Sequence, residues 1–163
     1  MKLQPLAPGD PIPWFALPTH QSEAYRVDTT AGRTVVLIAF GSSAPSPVAA
    51  VLQAIVERAG ELRRPDLVWA GLAADREDAL ARRFSEALVA PVFIDQGFAV
   101  AQALGVAGRS ADGRGVFAPT AFVLDRRLRV LATVSMTEPA TFLARIDEAV
   151  RRADQGAPAS ETT

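Results

Sequence analysis

The chain has 163 residues, 49% of them apolar and 21% charged, with a formal net charge of −1. That length supports one domain with a real core, the composition argues against disorder, and the near-neutral balance leaves no electrostatic footprint for nucleic acid or an anionic membrane surface. There is no cysteine and a single histidine, which excludes disulfides, thiolate catalysis and iron–sulfur ligation, offers no histidine cluster for zinc, and leaves no cofactor to expect.

The opening LQPLAPGDPIPWFALP carries prolines at 5, 8, 11, 13 and 18, so it is extended or turning and cannot be helical. Trp14, Phe15 and Leu17 are expected to tack this arm onto the domain. Ala24 to Asp28 is expected to pair with it as a hairpin across the polar loop at His20 and Gln21, with His20 a solvated side chain. No apolar run reaches signal or membrane-spanning length, so a cytoplasmic protein is expected.

After the turn Ala31-Gly32-Arg33, Val35 to Phe40 is a short β-branched run of the kind that forms a central strand covered on both faces. The following helix places Val48, Leu52, Ile55, Ala59 and Leu62 on one face. Ser46 reads as its N-cap and Pro47 as its first residue. Such a strand–loop–helix junction is where many folds place a nucleophile or bind an anion, because free amides and the helix dipole converge there. Here it carries Ser42, Ser43, Pro45, Ser46, Pro47 and Val48, without thiol, histidine or acid.

Leu67 to Ala73 is a second buried strand, and Asp75 is expected to cap a helix with Leu80, Phe84 and Leu88 inward. A short strand, Val92 to Ile94, precedes a short helix capped by Asp95 and ended by Gly105. Val106 to Val116 reads as a flexible loop, in which Arg109 and Arg114 could clamp an anion, although solvated loop residues are the commoner case. Thr120 to Leu124 and Arg129 to Val134 form a hairpin, and a last helix starts at Thr137 to Pro139 with Phe142, Ile146 and Val150 on one face. The domain is expected to span 1–152, with 153–163 a disordered tail or the start of an interdomain linker.

This order implies an α/β sandwich around a central mixed sheet with an N-terminal hairpin arm. Three stretches add a resemblance. Gly9-Asp10 with Pro13, Phe15, Leu17 and Pro18, the strand TVVLIAF, and APTAFVLDRRLRVL together resemble the peroxiredoxin family (the alkyl hydroperoxide reductase and thiol-specific antioxidant group) on a thioredoxin-like fold. In that family the loop after the strand carries Pro-x-x-x-Thr/Ser-x-x-Cys. Aligning Gly41 on the proline puts Val48 at the thiol position, and aligning Ser46 to Ala49 on the common Thr-Pro-Val-Cys puts Ala49 there. The family's arginine falls at or near Pro119. A serine hydroxyl titrates too high to replace the thiolate, and no histidine in the loop could activate Ser46.

The resemblance therefore implies a domain without the peroxidatic cysteine that binds or scaffolds. The alternatives are an antioxidant thiol peroxidase whose cysteine is replaced in this chain, or a binder of a small anion or peptide in the groove beside Pro119, with Ser42, Ser43, Ser46 and Thr120 as contacts. It further implies a cis peptide before Pro119, a homodimer, and a linked or partner oxygenase domain dependent on iron and 2-oxoglutarate, whose iron ligands would lie outside this chain.

Overall fold

The computed structural model describes residues 3–155. Its centre is a five-stranded mixed sheet of β3 (Thr34–Gly41), β4 (Leu67–Ala73), β5 (Val92–Ile94), β8 (Thr120–Leu124) and β9 (Val130–Ser135), in the order β5-β4-β3-β8-β9. The β3–β4 and β4–β5 pairs are parallel, and β8 and β9 run antiparallel. The middle strand β3 is buried along all eight residues, as its unbroken apolar run requires. Its side chains alternate between two cores: Val36, Ile38 and Phe40 face one way, Val35, Leu37 and Ala39 the other.

The first core is closed by α1 (Ser46–Glu57), α3 (Ala79–Leu88) and α5 (Pro139–Asp154), which contribute Leu52 and Ile55, Phe84 and Leu88, and Phe142, Ile146 and Val150. The helical spacing put these residues inward, and they are buried. The continuation of the first helix is interrupted at Arg58, whose N–H is shared between Ala54 O and Ile55 O, and a separate turn, α2 (Ala59–Leu62), carries Ala59 and Leu62 to the core.

The second core lies beneath the arm. The hairpin of β1 (Ala16–Leu17) and β2 (Tyr25–Arg26) forms as expected, and Phe15 and Tyr25 both make T-shaped contacts with the Phe93 ring. Trp14 does not anchor the arm: it is 67% exposed, and the buried anchor is Ile12, whose N–H donates to Leu128 O. From Trp14 onward the extended backbone turns alternate residues opposite ways, so seating Phe15 and Leu17 on the core sends Trp14 and Ala16 outward. Gly9 and Asp10 exchange hydrogen bonds with Val130, laying the arm along the sheet.

Three other expectations need correction. The cap of α3 is Asp78, which accepts from Ala81 N–H, while Asp75 accepts from Glu77 N–H in the turn before it. The segment 106–116 is a β-hairpin of β6 (Ala107–Arg109) and β7 (Gly115–Phe117), because Val106 and Ala107 are buried and Ser110-Ala111-Asp112-Gly113 closes a turn with Gly113 at φ +83°. Finally, α5 runs through Asp154, whose carboxylate binds Arg64 at 2.8 Å, so helix continues past the boundary set at 152. The rest of the expected tail lies outside the described residues. Among those described, no helix is long and apolar enough to cross a membrane.

Candidate functional site

At the C-terminal end of β3 the chain turns sharply. Gly41 takes φ +73°, and Ser42 N–H reaches back to Phe40 O at 2.8 Å, closing a three-residue turn where glycine's freedom is needed. Gly41 O accepts from Ala74 N–H at 2.8 Å, so the turn stays tied to the end of β4. One carboxylate then fixes the loop. Asp78 accepts from the Ser43 N–H at 2.9 Å and hydroxyl at 2.6 Å while capping α3, so one side chain joins loop and helix. Asp78 was missed from sequence, although an aspartate directly before the helical run ALARRF is the ordinary signal for a cap.

The start of α1 departs from expectation. Its N-cap is Pro45, and Ser46 is the first helical residue, exposed and without a side-chain cap bond. The reason is local: Pro45 fixes φ at −64° with an extended ψ of 137°, leaving Ser46 already inside the turn. Prolines at 45 and 47 also have no N–H, so of the four positions that open the helix only Ser46 and Val48 carry a donor. Two of the four donors that a helix start ordinarily offers an anion are therefore absent.

Above this turn is an open pocket of about 340 Å³, lined by Phe40, Gly41, Ser42, Pro45, Pro47, Val48, Phe98, Phe117, Pro119 and Met136. No titratable side chain contributes. Phe98 follows Gly97, both at positive φ (63° and 80°), and its ring packs on Phe117 at 5.3 Å. The segment is held by buried Asp95, whose carboxylate accepts from the N–H groups of Val100 (3.1 Å) and Ala101 (2.9 Å) in the first turn of α4 (Ala99–Ala103), although the N-cap position of that helix is Phe98 and not the expected Asp95. Phe98, Phe117 and Met136 were also missed, since only the fold brings these distant segments together.

Of the residues singled out from sequence, Gly41, Ser42, Val48 and Pro119 line the pocket. Val48 is buried, whereas Ala49, one residue on, is outside the lining. Ser43 is committed to Asp78, Ser42 Oγ accepts from Ala44 N–H, and Thr120 is buried with its hydroxyl donating to Ala118 O at 2.8 Å. The Ala118–Pro119 peptide is trans, against expectation. Ala118 N–H reaches Val106 O and Pro119 O accepts from Met136 N–H, so extended partners hold both sides of the bond.

Arg109 donates to Gly113 O within its own hairpin, and Arg114 lies 4.0 Å from Asp112, so they do not form a clamp. His20 is not simply solvated. Its Nε2 lies 3.0 Å from Arg76 O, and Arg76 donates to Thr19 O, which fastens the β1–β2 loop to the segment after β4. Among the described residues no group of three or more His, Cys, Asp or Glu could hold a metal.

Residues 8–133 match the sequence profile of the AhpC/TSA family. The chain belongs to that family. No curated protein sequence matches it. Among solved structures it is similar to peroxidoxin BcpB from Mycobacterium tuberculosis (21% identity, TM-score 0.71, covering 92% of this chain and 97% of that one). It also resembles a peroxiredoxin-like protein from Aquifex aeolicus (17%, 0.67, 91% and 88%) and a thiol peroxidase from Chromobacterium violaceum (16%, 0.66, 93% and 90%). At these identities the likeness establishes the peroxiredoxin and thioredoxin-like fold. This AhpC/TSA domain has no cysteine anywhere in its sequence.

Proposed function

We propose that this AhpC/TSA domain is not a thiol peroxidase and serves as a binding domain, taking an uncharged apolar group into the pocket above α1. The observation that carries this reading is the lining itself: the pocket persists beside the helix start, but with Val48, Phe98, Phe117, Pro119 and Met136 in place of a thiol, a guanidinium or any titratable group. Peroxide reduction needs a thiolate, stabilised by donors and positive charge, to attack the peroxide. Here the sulfur is missing and the arginine position is Pro119 or close to it; Pro47 falls on the proline of the Thr-Pro-Val-Cys pattern, so the missing donor that sets this helix start apart is the one at Pro45. The same donor poverty disfavours a small anion at this site and favours an apolar occupant, such as a hydrophobic side chain of a bound peptide.

The purified chain, given hydrogen peroxide with thioredoxin or dithiothreitol, is expected to consume no more than a heat-killed control. Turnover above that control overturns the reading. A second experiment separates it from the alternative of a peroxidase lacking only its cysteine. In Val48→Cys the new thiol enters an apolar, buried position with no arginine beside it, so its pKa is expected at or above the ordinary value of about 8.5. A thiol titrating well below that value, together with peroxide turnover, would mean that the site remains competent and that sulfur alone is absent.

A further inference from the structure

At the opposite pole of the sheet, the N-terminal ends of β3 and β4 frame a second depression, of about 420 Å³. It lies roughly 23 Å from the pocket above α1, the length of β3 at about 3.3 Å per residue. Its lining has two parts. Arg33, directly before β3, and Arg63 and Arg64, in the turn between α2 and β4, supply three guanidinium groups, and no carboxylate contributes to the lining. Leu88 and Val89, at the end of α3, supply an apolar wall, and Trp69 lies behind it.

The charges here are not cancelled locally. Arg64 is held between Asp66 (2.9 Å) and Asp154 (2.8 Å). Arg33 and Arg63 are exposed and have no carboxylate partner among the described residues. Arg126, whose carbonyl accepts from Gly32 N–H, adds a fourth positive charge close enough to help Arg64 hold the Asp66 carboxyl below its usual range. The three guanidinium groups that line the depression thus meet two carboxylates, both on Arg64, leaving an excess of positive charge at a concave surface, although the whole chain carries −1.

Val89 is the second, independent observation. It is 76% exposed and sits at φ 51°, a left-handed conformation that suits a β-branched residue poorly. Glycine or asparagine is the ordinary occupant of that helix-end position. Neither core packing nor backbone geometry accounts for a valine there, whereas a hydrophobic side chain on the rim of a binding depression does.

We propose that this depression binds a small amphiphilic anion, with a phosphate or carboxylate gripped by Arg33 and Arg63 and an apolar or aromatic body lying against Leu88 and Val89. Guanidinium forks match both anions bidentately, and their weak hydration keeps the cost of desolvation low. The apolar wall supplies the discrimination that arginines alone lack.

The test uses the full chain, isotopically labelled, at physiological salt. It is titrated with phenyl phosphate and, in parallel, with inorganic phosphate and with benzyl alcohol, while the amide resonances of residues 33, 63–64 and 88–89 are followed. Phenyl phosphate is expected to give saturating shifts at these positions, with at least tenfold higher affinity than either half-molecule. Arg33→Gln and Arg63→Gln are each expected to weaken it about tenfold, and Val89→Asn several-fold. Arg145→Gln, an exposed arginine on α5, is expected to leave binding unchanged. Shifts that fail to saturate, equal affinity for inorganic phosphate or for benzyl alcohol, or losses as large in Arg145→Gln as in the other two arginine variants would overturn the proposal. The spectra report the fold of each variant directly, so a misfolded variant is distinguished from one that has lost binding.

Discussion

Gly41→Ala probes the turn on which the pocket depends. A Cβ at this position would lie 3.0–3.2 Å from the edge of the Phe117 ring, closer than such contacts ordinarily come, with the backbone held at φ +73°. Three effects compete. The left-handed backbone costs an alanine about 1–2 kcal/mol relative to glycine. The ring must give way, and because Phe117 is only partly buried it can do so at the expense of its packing on Phe98, roughly 0.5–1.5 kcal/mol. Against these, alanine loses less chain entropy on folding, a gain of about 0.4–1 kcal/mol. The net expectation is a loss of about 0.5–3 kcal/mol, or roughly 1–12 °C in Tm for a chain of this size. Gly60→Ala is the matched control: Gly60 lies within α2, has open space around its would-be Cβ and no positive φ, so that substitution is expected to be neutral or stabilising by up to about 1 kcal/mol. Both are measured by urea unfolding followed by far-UV circular dichroism. If the two substitutions shift stability in the same direction, the account of the turn is wrong.

Gly105→Ala is expected to be worse than Gly41→Ala, because its Cβ would fall 2.0 Å from Gln4 O, a backbone atom, at φ +83°. Faster hydrogen exchange at Leu6, whose N–H is bonded to Leu104 O, would report release of the arm. Val89→Asn is expected to raise stability by about 1 kcal/mol in the same urea assay, since asparagine tolerates the left-handed backbone better than valine. Glu138 caps α5, and hydrogen bonds from Thr141 N–H and hydroxyl and from Ala140 N–H hold its carboxyl below the ordinary 4.5. A depressed value means the cap stabilises fully above that pH and is lost as pH falls through the folded value. The Tm difference between wild type and Glu138→Ala should accordingly be largest near pH 7 and shrink below pH 4.5; a difference independent of pH would refute the capping role.

The architecture was legible because burial writes itself into periodicity. The short β-branched run at Val35 to Phe40 has the look of a strand covered on both sides, and the four-and-three spacing from Val48 onward marks the inward face, although the break at Arg58 that puts Ala59 and Leu62 on α2 leaves no trace in it. Exchanging Asp78 for Asp75 as a cap was a local error: both aspartates precede the helix, and only the register of the turn, in which Asp75 bonds Glu77 N–H, decides between them. The hairpin at 107–117 was hidden because its glycines and arginines carry no alternation, and its pairing is imposed by Val106 and Ala107 entering the second core. At the site, the small-residue loop could be located but not its walls. Phe98, Phe117 and Met136 come from three segments that are neighbours only after folding.

Such a site can lose its chemistry without losing its shape because the groups that form the pocket are not the groups a thiolate would need. The turn depends on the φ of Gly41, the loop on the Asp78 carboxylate, and the far wall on Asp95 holding Phe98 in place. None of these would touch a peroxide. A thiol peroxidase places its demands on a sulfur and a guanidinium, and neither is among the groups that line this pocket, while α1 has prolines at its cap and second residue. Proline at those two positions stiffens the entry to α1 while removing two donors. The proposed apolar occupant fits the same residues: two of the four helix-start positions lack a donor, and the pocket lining carries no titratable group.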